Sequence, residues 1–246
     1  MQAGRLIRRL RQDALVAPLL PPAPEEAGGR WLSCARLQRA QTLSDLIGDF
    51  GASAGHADGD RRALASLWSR WHFGAVLPPL LAAVLLHGMW PTAAAVRLSA
   101  RHTSCDVRWR QRMRALDAGR GGDLGPCLLR QAEPLVQALS QVSGASPRVF
   151  WSNLGNLLEY LLSALRDHPR AAPARVAAFD ALLAGARLDD GRHNPLHQPV
   201  RYLPAAGGGT QRVRRLCCLY DLLPGAELCG NCPRLHAPPR SRHVPA

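Results

Sequence analysis

RVFWSNLGNLLEYLLSALR, residues 148–166, places Val149, Leu154, Leu157, Leu158 and Leu161 on one face at helical spacing. A stretch of that length and periodicity predicts a long helix packed on a core. Its neighbours read the same way. Residues 127–142 carry a second amphipathic pattern, and 173–187 form an alanine-rich segment that opens with Pro173. Between about 35 and 92 the pattern is again helical, with Trp68, Trp71 and Phe73 as packing residues. The apolar run Phe73 to Leu86 is expected to be a buried core helix with Pro78-Pro79 in its first turn, because it falls short of the ~18–20 residues a membrane span needs.

Other segments alternate or break. Residues 95–109 predict a small β-hairpin, PPAPEEAGG at 21–29 is a linker by composition, and DAGRGGDLGP at 117–126 is a loop. GRHNPLHQPVRYLP at 191–204 reads as irregular and extended, and AAGGGT at 205–210 as a flexible joint. The expected fold is therefore mainly α, with a small hairpin and a short cysteine-bearing tail. The chain divides into three parts: an N-terminal arm and linker (1–29), a helical body (30–204), and a C-terminal segment (205–246) whose proline- and arginine-rich end reads as disordered.

Within 1–17, Leu6, Ile7, Leu10 and Ala14 share one side, with Arg5, Arg8, Arg9 and Arg11 around them. An ordinary surface helix explains this better than a membrane-surface or docking arm, although the latter would allow peripheral contact with an inner membrane. Prolines break the stretch after it, which argues against a secretory signal and for a cytoplasmic protein.

All 31 basic residues are arginine, and the net charge is +13. Without lysine the chain has neither a phosphate-binding loop of the usual kind nor Schiff-base or pyridoxal-phosphate chemistry. The charge favours acidic or anionic partners. The arginines are scattered and form no basic stripe, which weighs against nucleic acid.

Seven cysteines are present. Cys34, Cys105 and Cys127 are isolated and read as small buried apolar residues. The other four form C-C-x10-C-x2-C at Cys217, Cys218, Cys229 and Cys232. Converging thiolates repel unless a metal binds them. Pro224-Gly225 supplies a turn that folds the loop back, and Gly230 is expected to permit a tight C-x2-C backbone. Zinc, an iron–sulfur centre and redox-labile thiols all suit the set. A vicinal pair, whose side chains diverge, favours a two-iron centre over one tetrahedral ion.

This motif, preceded by Arg212, Arg214 and Arg215, resembles the FhuF-like family of ferric siderophore reductases. So do the helical body, the Trp-Ser-Asn-Leu-Gly-Asn run at 151–156 and Asn194-Pro195-Leu196. The resemblance implies that Cys217, Cys218, Cys229 and Cys232 hold a [2Fe–2S] cluster. It further implies a siderophore-iron reductase that takes ferric siderophores, often of hydroxamate type, and needs no catalytic residue beyond the cluster. GxGxxG is absent, so the electron is expected from an external donor such as a ferredoxin rather than directly from a nicotinamide. Arg212, Arg214, Arg215 and Arg234 are candidate residues for docking a donor or an anionic siderophore. Substrate recognition is expected in residues 30–204. His193 and His197 flank Pro195 and make a poor metal pair, and His102, His236 and His243 read as surface histidines. Two other functions fit the composition: a basic nucleic-acid-binding protein with a structural four-cysteine zinc site, and a non-catalytic siderophore-binding module.

Overall fold

In the computed structural model, residues 2–22, 31–98, 105–116, 124–205 and 207–236 are described. The linker at 21–29, most of the 117–126 loop, His102, His243 and the chain end after 236 lie largely or wholly outside them.

Among the described residues six helices share one apolar core: α1 (Ala3–Gln12), α2 (Ala40–Ser53), α3 (Arg61–His87), α4 (Leu124–Ser143), α5 (Pro147–Leu165) and α6 (Pro173–Ala184). The centre is α3, with 20 of its 27 residues buried. A helix apolar all round has no solvent face to offer, and α1, α2, α4, α5 and α6 all pack against it. It is long and apolar enough to cross a membrane, and 83% of its most apolar window is buried inside the protein.

The expected start at Phe73 is corrected. Asp60 caps α3 by accepting from the N–H groups of Arg62 and Ala63, so the helix begins at Arg61 and Pro78-Pro79 lie in its interior. The capping aspartate outweighs the proline signal, because it satisfies two of the first-turn donors. Gly88, at φ 62°, ends the helix. There the backbone enters the left-handed region that glycine accepts at little cost.

The helices expected at 127–142, 148–166 and 173–187 correspond to α4, α5 and α6. In α1, Ala3, Leu6 and Leu10 are buried. Its apolar face thus belongs to the core. Asp13, just after α1, accepts from Arg170 and lies 3.1 Å from His168 Nε2, which ties the arm to the corner between α5 and α6.

The expected hairpin is present as β3 (Ala93–Leu98) and β4 (Cys105–Trp109), with Val96 opposite Val107. It gains a third antiparallel strand, β1 (Trp31–Ser33), which pairs Leu32 with Val96. Arg97 and Arg108 stack over the Trp31 ring at 4.9 and 4.2 Å. A minor pair joins β2 (Met89–Trp90) to β5 (Arg114–Ala115).

The glycine stretch at 205–210 is not a flexible joint. It closes a hairpin between β6 (Val200–Pro204) and β7 (Thr210–Arg214), with Gly208 and Gly209 at positive φ and the Ala205 N–H donating to Gly209 O at 3.2 Å. The physical reason is that glycines which loosen a free chain also permit the tight turns of a strand pair.

His72 tests the core. It is buried on α3 and stacks on Trp68 with centroids 5.2 Å apart, and its Nδ1 has no partner. Burial pushes its pKa from 6.5 down to about 4. The unfolded chain therefore takes up a proton that the folded one refuses, and stability is lost as pH falls from 6.5 towards 4. By pH 5 the loss from this group is about 2 kcal/mol. Urea unfolding at pH 7 and pH 5 should show that difference in the native protein, and it should shrink in His72→Phe.

Candidate functional site

β7 delivers the cysteine loop to the body. Its last residue, Arg214, donates its N–H to Asn231 O at 2.9 Å, which holds the loop's two ends together. After the vicinal pair, Leu219 turns the chain at φ 62°, an uncommon conformation for a side chain of this size. That turn aims the Leu219 N–H at Cys217 Sγ, 3.3 Å away. Pro224-Gly225 reverses the loop as expected, with Ala226 N–H bonded to Leu223 O and Gly225 at φ 70°. A short turn then bonds Cys232 N–H to Cys229 O at 2.8 Å. Gly230 is not among the positive-φ residues, and a Cβ there would meet nothing within 4 Å. The expected need for glycine at this position is not met, because the C-x2-C turn closes in ordinary backbone geometry.

The sulfurs of Cys218 and Cys229 lie 3.8 Å apart. Two thiolates on one tetrahedral metal with ~2.3 Å bonds stand ~3.8 Å apart, so this pair has the spacing of ligands to a single ion. Among the described residues no three His, Cys, Asp or Glu side chains close on one point. The hydrogen bond with Cys229 pulls the Cys218 thiol down to about 5, with help from Arg214 and against the push of burial. The same bond pushes Cys229 up. Burial raises Cys217 to about 11. The loop thus holds one thiol ready to ionise, Cys218, beside two, Cys217 and Cys229, that are held protonated.

The four arginines named from the sequence separate sharply. Arg212 is half-buried and binds Glu159 at 2.5 Å and Asn156 Oδ1 at 3.0 Å, a structural tie between β7 and α5. Arg215 is exposed and donates to Gln198, and Arg234 is exposed and paired with Asp221. Of the four, Arg214 alone is buried, at 2% exposure. Its guanidinium donates to Asn153 Oδ1, its Nε has no partner, and no carboxylate pairs with it among the described residues. Burial lowers its pKa, while the thiols of Cys218, Cys229 and Cys217 hold it up. A buried cation without a carboxylate needs negative charge close by. The cysteine loop is where that charge lies, and the donor set fits an anionic thiolate-bound centre.

Sequence reasoning missed the residues that seat the loop. Asn153 donates through Nδ2 to Ser66 Oγ at 3.0 Å and Ser69 Oγ at 2.9 Å, both buried on α3. Ser66 Oγ in turn donates to Cys218 O at 2.6 Å. Asn156 accepts from Arg212 and, at 3.1 Å, from Asn231 between the last two cysteines. The Trp-Ser-Asn-Leu-Gly-Asn run is therefore the dock for the tail. Gly155 within it lies so close to Pro199 that a Cβ would stand 2.8 Å from the proline ring. The signal in the sequence was two asparagines on an otherwise apolar helix face, together with two serines within the apolar α3.

The isolated cysteines stay apart from the site. Cys34 is half-buried and bonds to Ala93 O at 3.4 Å. Cys127 is also half-buried and faces the guanidinium groups of Arg114 and Arg130, a polar setting that corrects the apolar reading. The side chain of Cys105 lies outside the described residues. His193, His197 and His236 join no metal-binding group among the described residues.

Residues 124–210 match the family described as "Ferric iron reductase FhuF-like transporter", and residues 214–234 match its "FhuF 2Fe-2S C-terminal domain". A protein of Escherichia coli (strain K12) named "Ferric siderophore reductase" is 27% identical over 184 residues, covering 70% of this chain and 66% of that relative. The chain thus spans just under two thirds of the relative's length. The resemblance to the FhuF-like family covers residues 124–210 of the body and residues 214–234 of the tail, and the tail match is to a domain that holds a [2Fe–2S] cluster.

Removing the Asn153 amide would leave the Arg214 guanidinium and two buried serines short of partners. Asn153→Ala is expected to cost about 2–3 kcal/mol in denaturant unfolding. Asn156→Ala, nearer the surface, should cost less than half of that.

Proposed function

We propose, from the FhuF matches to both body and tail, that this chain is a ferric siderophore reductase. It would convert siderophore-bound Fe(III) to Fe(II) by one-electron transfer in the cytoplasm. The observation that carries the reading is the buried Arg214, without a carboxylate partner among the described residues, set beside the cysteine loop. Cys217, Cys218, Cys229 and Cys232 would hold the cluster, which supplies single electrons at low potential. Siderophores grip Fe(III) with hard oxygen ligands and hold the softer Fe(II) far more weakly, so a single electron suffices for release.

The chain's own residues have two tasks in this chemistry. Arg214 balances the negative charge of the thiolates. Ser66 and Asn153 hold the loop against α3 and α5 so that the ligand set stays in place. The electron is expected from an acidic one-electron donor protein such as a ferredoxin, drawn by the net positive surface. That encounter should weaken as salt screens it.

Purified full-length protein should carry about two irons and two sulfides. After chemical reduction and removal of excess reductant, a ferric trihydroxamate should reoxidise it, with about one Fe(II) trapped per cluster. Cys229→Ser should lose the visible absorption, while Cys34→Ser and Cys127→Ser should keep it. A colourless protein holding zinc, or a reduced protein that no ferric siderophore reoxidises, would defeat the reading.

A further inference from the structure

A cavity of about 580 Å³ opens beside the cysteine loop, within the range that takes small ligands. α3 supplies Arg70 and Trp71 to its wall, α5 supplies Asn153 and Asn156, and the tail supplies Arg214 and Cys229. Pro21 and Pro22, just beyond the N-terminal arm, border one side.

The chemistry of the wall is one-sided. Its charged side chains are the two guanidinium groups, and among the described residues no Asp or Glu lines it. Arg70 is exposed, makes no ion pair among the described residues and lies 5.8 Å over the Tyr220 ring, which also lines the cavity. Trp71 is 38% exposed, whereas Trp68 on the same helix is wholly buried. An indole left open on a cavity wall beside two cations offers a flat apolar contact next to donors for oxygen anions. The cavity between α4 and α6 is of similar size, about 560 Å³, but mixes Arg187 and Arg192 with Asp189 and Asp190 and touches no cysteine of the loop.

We infer that the cavity at Arg70, Trp71 and Cys229 is the docking site of the ferric chelate. It selects chelates that turn carboxylate or carbonyl oxygens to the exposed Arg70 and an apolar flank to Trp71, with the buried Arg214 adding positive charge behind the wall. The inference rests on the reductase reading. A chelate seated here lies against the Cys229 sulfur. A cluster held by the four cysteines would supply the one electron that converts Fe(III) to Fe(II), and no covalent bond would form or break in the protein. The low-potential donor protein then restores the electron. The proposed site spans body and tail, whereas the sequence reading expects recognition within residues 30–204.

The test separates binding from reduction. The gallium(III) complex of a carboxylate-bearing trihydroxamate cannot be reduced under these conditions, and its affinity for the full-length cluster-loaded protein is read by calorimetry. Arg70→Glu is expected to weaken that affinity by about tenfold or more, with the cluster's visible spectrum intact. Trp71→Ala should weaken binding less and should affect a carboxylate-free chelate as well. Arg187→Glu, in the other cavity, should bind as the wild type does. If Arg70→Glu binds gallium chelate as tightly as wild type, or wild type binds none, the site assignment is overturned even where ferric chelate is still reduced. If wild type binds through Arg70 yet never reduces the ferric complex, the site stands and the reductase reading falls.

Discussion

A guanidinium group shut away from water, with no carboxylate to meet it among the described residues, is the constraint on which this structure turns. Arg214 sits at the end of a strand, between a helix and a loop of thiols. Charge in that position is costly unless something negative stands close. The tail cannot simply hang from the body, because its arginine has to be inserted between them. Arginine suits the place better than lysine would, since its planar fork can bind Asn153 on one edge and keep its charge without deprotonating.

The polar atoms around Arg214 form a connected set rather than a scatter. Asn153 receives Arg214 on its oxygen and gives its amide hydrogens to serines of α3, and one of those serines reaches the backbone of Cys218. Each group hands a hydrogen bond to the next, and within this set the Arg214 Nε is left without a partner, so the network fixes one arrangement but leaves the arginine short of a partner. The interface between α3 and α5 thus does more than bury leucines. It fixes the position of the cysteine loop, and the close approach at Gly155 lets the segment before β6 lie flat on α5.

Much of this was legible in the sequence, for reasons that differ by element. α4, α5 and α6 announce themselves by periodicity, and the cysteine loop by residue type and spacing. The start of α3 was misplaced because two prolines looked like a beginning, while the actual signal was a single capping aspartate, Asp60, several turns upstream. β1 is three residues long and gains its identity only from its partner β3. The arginines show the limit most clearly. Arg212, Arg214 and Arg215 are close neighbours in the chain, yet one is paired with Glu159, one is buried and one is exposed. Nothing local in the chain separates them, because Arg212 and Arg214 meet different residues of α5 across 53 and 61 residues of sequence, while Arg215 meets Gln198 before β6.

The network around Arg214 also makes assembly of the centre a matter of folding. Whatever neutralises that buried charge binds the native chain in preference to the unfolded one, so cofactor occupancy and conformational stability rise and fall together. Since Ser66 of the central helix shares this network, the strain of an unbalanced guanidinium would reach the core rather than stop at the tail.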